Sequence, residues 1–388
     1  MKITATKKDL VAALQIASLG VASGEDSDIR THLLLRYLNG KLQMLSNNGS
    51  RITASAVVVN AKVTGAKDGD AFTVPSWRFE KFVALVKGDD DEITLDNADG
   101  ITKATSKRGT GKWASLDPET FRYTDKTLAE SKLIATVNME GLAKILLYNK
   151  NFVSDQENKS PNLVMTECRN GVFWATDSMC ISLVENPEFA QSTLRIHGKD
   201  IGTITPFLST KGVDQVEVLE HANVVFFRHP NAVEGTVGVG RWVHEFPSMK
   251  IDRDEKPKCW FTVSAESLKE ALEFFGAFAQ KDDTQVRFRF EKPGEVIVSM
   301  ASGSGASEDD DQVLPFIESE KMSDFTDAGF NGFSLTKTAV GFLADTFIGE
   351  KEKQVRFGVT WVKKNGYVTV RHTKDKNDYF TLLLWHRK

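Results

Sequence analysis

The sequence predicts an α+β protein built from three similar domains, and two observations support this prediction. First, one pattern occurs three times: a β-prone segment runs into a residue that can cap a helix, and leucines follow four and eight positions later. The cap residues are Thr6, Asn138 and Ser264. Second, the first leucines recur at a nearly constant period, because Leu10 to Leu142 is 132 residues and Leu142 to Leu268 is 126. Such a period predicts tandem domains.

Each repeat begins with a strand, an N-cap and an amphipathic helix, and a hairpin follows. The turns are Asn39-Gly40, Asn170-Gly171 and Pro293-Gly294, which come 29, 28 and 25 residues after the first leucine of their repeats. Asn-Gly favours a tight hairpin because both residues accept a positive φ.

The second half of each repeat has the same order of elements. Further helices are predicted to begin at Ser76, Gly198 and Ser334, and alternating strands follow at 93–106, 216–227 and 355–372. Each domain is therefore predicted to hold two β-α-β-β-β modules. The predicted domains are 1–124, 128–251 and 257–388, with polar linkers at 124–127 and 252–257 and an acidic loop at 302–311.

Composition limits the classes of protein that remain. Of 388 residues, 41% are hydrophobic and 26% are charged, as in ordinary globular proteins. We find no apolar run of the roughly 18 residues that a membrane helix needs, and the first residues do not read as a signal peptide. Three cysteines cannot form a disulfide framework, and they favour a cytoplasmic protein. Because the net charge is -4, nucleic-acid binding would need basic residues sorted onto one surface.

Five of the six predicted main helices place a lysine opposite their apolar stripe, and Arg78 lies beside one of these lysines. The lysines are Lys8, Lys81, Lys144, Lys199 and Lys337. The pattern is compatible with a binding surface for an anion, but solvent-exposed faces of helices also commonly carry lysine.

The remaining helix has a wider apolar arc. Phe274 and Phe278 extend it beyond the stripe formed by Leu268, Leu272 and Phe275. Either a subunit interface or a deeper core within the domain would explain the two additional phenylalanines.

Short motifs along the whole chain resemble those of bacterial beta sliding clamps, the processivity subunits of replicative DNA polymerases. In order they are Met1-Lys2-Ile3-Thr4, Leu33-Leu34-Leu35, Asn39-Gly40-Lys41-Leu42, Thr73-Val74-Pro75, Ala175-Thr176-Asp177-Ser178 and Phe246-Pro247. Each motif is weakly specific alone, and their order and spacing carry the resemblance.

The resemblance implies a head-to-tail homodimer that closes into a six-domain ring, with helices around the hole and sheets outside. Lys8, Lys81, Lys144, Lys199 and Lys337, together with Arg78, would then face double-stranded DNA and contact phosphates without reading sequence. Phe274 and Phe278 would lie at the dimer interface, and Trp113 is a candidate on the opposing edge.

The family also binds short peptides of its partners in an apolar pocket between the second and third domains. Those partners include the replicative polymerase, the clamp loader and other proteins with a clamp-binding motif. By position, the resemblance assigns this pocket to Thr176, Ser178, Met179, Ile181, Pro247, Ile251, Leu382, Leu383 and Leu384. Thr176-Asp177-Ser178 is then expected to be a structural corner that shapes the pocket and not a catalytic group.

Three departures from the family pattern affect these expectations. Met179 and Cys180 stand where His-Arg is usual, and Leu382–Leu384 with four further residues replaces the usual Met-Pro-Met end. Glu25-Asp26 occupies a loop that often carries a basic DNA contact. We therefore expect partner peptides of altered sequence, compatible with a phage or mobile-element replication system.

Patterns typical of enzymes are weak. A phosphate-binding loop is missing, and the glycines and serines at 303–307 lack the strand-to-helix context of a nucleophile elbow. We expect no catalytic residue, no metal and no cofactor. The alternative function is a protein-interaction module that has the clamp fold but does not encircle DNA.

Overall fold

The computed structural model describes the chain except residues 50, 123–124, 191, 231–234, 250, 252–253, 279–284, 302–310, 350–352, 363–364, 375–376 and 385–388. The chain divides into two compact units. Unit 1 comprises Met1–Leu146 and Leu194–Val243, and unit 2 comprises Leu147–Thr193 and His244–Lys388.

The described residues form six β-α-β-β-β modules in tandem, as the sequence predicts. The first module is β1 (Lys2–Thr6), α1 (Lys7–Ala17), β2 (His32–Leu38), β3 (Lys41–Asn47) and β4 (Ile52–Val57), followed by the short β5 (Lys62–Thr64). The second module is β6 (Ala71–Pro75), α2 (Ser76–Leu85), β7 (Glu92–Ala98), β8 (Ile101–Ser106) and β9 (Gly109–Ala114).

A short helix, α3 (Asp125–Ala129), occupies most of the first predicted linker and leads into the third module. That module is β10 (Lys132–Asn138), α4 (Met139–Lys150), β11 (Met165–Arg169), β12 (Val172–Thr176) and β13 (Cys180–Glu185). The fourth module is β14 (Thr193–His197), α5 (Gly198–Leu208), β15 (Gln215–His221), β16 (Val224–Arg228) and β17 (Gly235–Gly240).

The last two modules complete the chain. The fifth is β18 (Cys259–Ser264), α6 (Ala265–Phe278), β19 (Gln285–Arg289), β20 (Glu295–Ala301) and β21 (Gln312–Pro315), followed by β22 (Glu318–Glu320) and α7 (Met322–Asp327). The sixth is β23 (Gly332–Thr336), α8 (Lys337–Ile348), β24 (Gln354–Val362), β25 (Asn365–Lys374) and β26 (Asn377–Leu384). The described residues also form four 3-10 turns between these elements: Ser18–Gly20, Ile29–Thr31, Pro118–Thr120 and Pro187–Phe189.

The three predicted helix caps are confirmed. In each case the side-chain oxygen accepts a hydrogen bond from the amide three residues further on, at 3.2 Å for Thr6, 2.8 Å for Asn138 and 3.2 Å for Ser264. This bond satisfies one of the amides that the first helical turn leaves without an intrahelical partner. The leucines that follow the caps are all buried: Leu10, Leu14, Leu142, Leu146, Leu268 and Leu272.

The predicted turns also form. Asn39 and Asn170 have φ of 51° each, and the glycines after them have φ of 76° and 79°. Gly294 has φ of 86°. Asparagine and glycine are the residues that tolerate this left-handed conformation best.

The last main helix begins later than predicted. Ser334 and Leu335 are paired with β19 in the sheet, and α8 starts at Lys337. Sheet pairing keeps these residues extended although a serine before an apolar run resembles a helix start.

Antiparallel sheets connect distant modules within each unit. In unit 1 the strand orders are β5-β1-β7-β8-β9 and β10-β15-β16-β17-β4-β3-β2-β6. In unit 2 they are β21-β20-β19-β23 and β11-β12-β13-β26-β25-β24-β18-β22. β4 pairs with β17 and β13 pairs with β26, so both large sheets run across the predicted domain boundaries. The boundaries 1–124, 128–251 and 257–388 remain a prediction.

Candidate functional site

The corner after β12 is built by its own side chains. The Asp177 carboxylate accepts the amides of Met179 and Cys180 at 2.8 and 2.7 Å. Thr176 Oγ1 donates to the Cys180 carbonyl at 2.7 Å and accepts the Ser178 amide at 3.1 Å. All of these hydrogen bonds lie within residues 176–180 and stabilise the turn, which supports a structural role for Thr176-Asp177-Ser178.

This corner leads into a strand pair that presents an apolar face in unit 2. Ile181 lies opposite Leu382, and Leu183 lies opposite Phe380. Because alternate residues of a strand share a face, these four side chains lie together, and they form one buried cluster. Half-buried apolar residues pack against the cluster: Val172, Trp174, Met249, Ile251 and Tyr367. We call this set of nine residues the apolar patch.

The strand register separates the three predicted leucines of β26. Leu382 belongs to the apolar patch. Leu383 pairs with Cys180 on the opposite face of the sheet and is fully buried, so it lies in the core and not in the lining. Leu384 is 38% exposed, and its amide donates to the Met179 carbonyl at 2.9 Å.

The other predicted pocket residues lie on the elements that form this site. Thr176 is buried, Met179, Pro247 and Ile251 are half-buried, and Ser178 is exposed. Ser178 has a φ of 82°, a conformation that favours glycine.

The segment that carries Pro247 is held to β11. The amide of Phe246 donates to Glu167 Oε2 at 3.1 Å, and Arg169 donates to Glu167 Oε1 through Nε and Nη2 at 2.9 and 2.6 Å. The Phe246 ring lies 6.4 Å from the ring of Trp174. Glu167 therefore fixes the position of one wall of the site.

A cavity of about 550 Å³ continues along the same face of the sheet and shares Phe380 with the apolar patch. Thr369 and Arg371 line this cavity. They are the cross-strand partners of Leu382 and Phe380, so their side chains lie on the same face of the sheet as the apolar patch. Its charged lining residues are Asp254, Glu255, Lys256, Arg356 and Arg371.

Sequence reasoning missed Glu167 and six residues of the apolar patch: Val172, Trp174, Leu183, Met249, Tyr367 and Phe380. Trp174 precedes Thr176 by two positions and shares its face, so alternation could have identified it. The same alternation from Trp174, Ile181 and Leu382 reaches Val172, Leu183 and Phe380. Met249, Tyr367 and Glu167 become part of the site only through long-range strand pairing and the anchoring of the 246–251 segment, for which the sequence gives no local signal.

The predicted DNA-facing residues all lie outside the buried faces of their helices. Lys8, Arg78, Lys81 and Lys199 are exposed, and Lys144 and Lys337 are half-buried. Carboxylates engage Arg78, which pairs with Asp26 at 2.7 Å, and Lys144, which pairs with Glu140 at 2.9 Å.

The predicted interface residues differ in their surroundings. Phe274 is 43% exposed on α6, and the side chain of Phe278 lies outside the described residues. Trp113 is half-buried on β9 and makes edge contacts with Phe79 and Phe82 of α2, with centroids 6.3 and 5.8 Å away.

The structure also bears on metal binding and membrane insertion. Within the described part of the chain, no three His, Cys, Asp or Glu side chains are grouped as a metal site would need. No helix among the described residues combines the length and apolar character that a membrane span needs.

The three cysteines are buried free thiols, and burial raises the pKa of each to about 12.

Six β-α-β-β-β modules in tandem define a fold that solved structures share over the whole chain. The DNA polymerase III beta subunit from Thermotoga maritima matches with a TM-score of 0.79 at 16% identity, over 100% of this chain and 99% of that one. The beta subunit from Pseudomonas aeruginosa matches with a TM-score of 0.79 at 14% identity, over 100% of both chains. A DNA polymerase sliding clamp from Caulobacter crescentus matches with a TM-score of 0.78 at 15% identity, over 100% of both chains.

The chain therefore has the fold of the bacterial DNA polymerase III beta sliding clamps. The resemblance drawn from the sequence motifs is confirmed for the fold. No protein-family profile matches the sequence, and no curated protein sequence matches it.

Proposed function

We propose that the chain is a DNA sliding clamp that encircles duplex DNA as a head-to-tail homodimer and tethers a replicative polymerase. It is not an enzyme in this proposal. The observation that carries it is the match of fold over the full length of this chain and of the beta clamps. The proposed domains are those predicted from the sequence.

Two strand edges support closure of a ring. Among the described strands, β9 pairs only with β8 and β21 pairs only with β20, so each ends its sheet. Apolar side chains are exposed near both edges: Ile101 and Leu85 at 52% and 68%, and Val313 and Phe274 at 52% and 43%. An open edge is a template for pairing with another chain. The two edges belong to different parts of the sequence, so pairing β9 of one copy with β21 of another is a heterologous contact. Such contacts close a ring only if the rotation between the two copies allows it.

Contact with DNA is assigned to Lys8, Arg78, Lys81, Lys144, Lys199 and Lys337. Their ammonium and guanidinium groups neutralise phosphates without selecting sequence, so binding is weak and sensitive to salt. Retention on DNA comes from topology, which is compatible with a net charge of -4.

Partner proteins bind, in this proposal, through short peptides at the apolar patch. A cluster of half-buried aromatic and aliphatic side chains suits an apolar anchor residue, because peptide recognition relies on such pockets. Met179, Ser178, Pro247 and Leu384 lie on the elements that border it. The proposed partners are a replicative polymerase, a clamp loader and other proteins with a clamp-binding motif.

Retention on circular DNA tests the topological mechanism. The loaded protein should remain on nicked circular DNA and be released when a restriction enzyme linearises the circle. Equal retention on both forms would contradict encirclement.

The molecular mass tests the interface. Light scattering should show a dimer for the wild type, and Phe274→Asp should split it, because burying a charge in an apolar contact costs several kcal/mol. Phe278→Asp should act in the same way. Leu133→Asp is the matched control, since Leu133 is 49% exposed on β10 and lies outside the proposed interface. A Phe274→Asp protein that stays dimeric would place the interface elsewhere.

The ion pairs of Arg78 and Lys144 favour one alternative, a clamp-fold interaction module that does not encircle DNA. Carboxylates that already neutralise Arg78 and Lys144 weaken the attraction of these residues for phosphate. A wild-type protein that is monomeric at micromolar concentration would support this module.

A further inference from the structure

Trp77 is an exposed aromatic ring that lies close to two basic side chains of α2. Its side chain is 46% exposed. The indole Nε1 donates to Asp26 Oδ1 at 2.5 Å, which fixes the plane of the ring. Lys81 Nζ lies 4.6 Å from the ring centroid, and the guanidinium carbon of Arg78 lies 5.2 Å from it. An aromatic ring among cations is the composition of surfaces that bind single-stranded nucleic acid.

A cavity of about 560 Å³ adjoins this ring. Trp77 and Glu80 line it together with the hydroxyls of Ser18 and Ser76. Both hydroxyls donate to the same carboxylate oxygen of Glu80, at 2.7 and 2.6 Å. A flat aromatic wall beside a carboxylate suits a planar ligand that carries N–H donors, as the amino groups of nucleobases do.

The charges favour a base over a phosphate inside the cavity. Glu80 would repel a phosphate, whereas Lys81 beside the ring would attract one. Asp26 is compensated by Arg78, whose Nε lies 2.7 Å from its carboxylate. A strand could therefore place one base in the cavity and the adjoining phosphate near Lys81.

We propose that Trp77 is a stacking platform for one unpaired nucleobase of single-stranded DNA. Stacking of a base on an indole is stronger than a cation–π contact at an exposed site, so the base displaces Lys81 from the ring. The released ammonium then pairs with the neighbouring phosphate. This inference rests on the proposed function only in bringing DNA to α2, because binding of a short single strand needs no closed ring.

Fluorescence anisotropy with a short labelled single strand and a blunt duplex tests the platform. Trp77→Ala should weaken binding of the single strand about tenfold at constant salt and leave the duplex unchanged. Trp77→Phe is the matched control: it keeps the aromatic face, loses the bond to Asp26, and should bind the strand nearly as the wild type does. An equal loss in both variants, an equal loss on the duplex, or no loss at all would overturn the inference.

Photocrosslinking of the wild type gives a second measurement that does not depend on a variant. A single strand carrying 5-iodouracil should crosslink to the peptide that contains Trp77, and crosslinks confined to other peptides would also overturn the inference. If Trp77 binds a single strand but the protein stays on linearised DNA, the stacking platform is supported and encirclement of DNA is contradicted. If the protein is retained only on circular DNA but Trp77→Ala has no effect, encirclement is supported and the stacking platform is contradicted. A stacking partner from a protein would leave the oligonucleotide assays unchanged by the substitution.

Discussion

Glu167 provides the most direct test of how the proposed partner site is held in place. Its side chain is 1% exposed, and it accepts the buried amide of Phe246 at 3.1 Å. Glu167→Ala leaves that amide without its acceptor, which costs about 1–3 kcal/mol in free energy of unfolding. The contribution of the ion pair is smaller, because the Arg169 side chain is 46% exposed and can turn to water. Arg169→Gln also keeps an N–H donor for the buried Glu167 carboxylate, which limits the cost of losing the positive charge.

Three variants separate these contributions by urea unfolding. Glu167→Ala should lower the midpoint most, Glu167→Gln should be intermediate because its amide oxygen can still accept, and Arg169→Gln should have the smallest effect. Affinity for a partner peptide should follow the same order, since a loosened Phe246 lets Pro247 leave the site. If Arg169→Gln destabilises the protein as much as Glu167→Ala does, the ion pair holds the segment and the reasoning from the amide is refuted.

Three further predictions concern single positions. Burial lowers the pKa of His32, so the folded protein keeps the ring neutral where the unfolded chain is protonated. Stability is then full above about pH 6.5 and falls as the pH drops through that value, and His32→Gln should flatten this dependence in urea titrations. Ser178→Gly should raise the unfolding free energy by about 0.5–1 kcal/mol by relieving the positive φ, and a gain of the same size from Ser178→Ala would contradict this explanation. Leu383→Asp should unfold the protein in a thermal scan, whereas Leu384→Asp should leave the melting temperature nearly unchanged and weaken peptide binding; the reverse order would refute the strand register.

Local chemistry explains why the sequence predicts the modules so well. A cap such as Asn138 acts on the amide three residues away, and the turn at Asn170-Gly171 depends on two adjacent backbone conformations. These interactions are encoded within a few positions, so they can be recognised without knowledge of the fold. The start of α8 shows the limit of such signals, because pairing with β19 extends the strand beyond Ser334.

The site is less predictable because its parts are distant in sequence. Pairing of Ile181 with Leu382 brings together residues that are about two hundred positions apart, and no local pattern specifies that register. Arg78 illustrates the same limit in electrostatics. Its position on the exposed face of α2 could be predicted, but its ion pair with Asp26 could not, since the loop that carries Asp26 folds independently of the helical pattern.

The register also determines which departure from the family pattern would change the proposed partner site. Cys180 pairs with Leu383 on the buried face, where its thiol lies 3.7 Å from Thr336 Oγ1 and its pKa is raised to about 12 by burial. A neutral group at position 180 therefore suits the core beneath the site. Met179 is half-buried at the corner, two positions before Ile181 of the apolar patch, and its carbonyl accepts the Leu384 amide. Methionine adapts its shape to different apolar ligands, so we expect the choice among partner peptides at the proposed site to depend on position 179. Exchange of Met179 for histidine should accordingly change peptide preference in a binding competition, whereas Cys180→Ser should change stability and leave that preference unaltered.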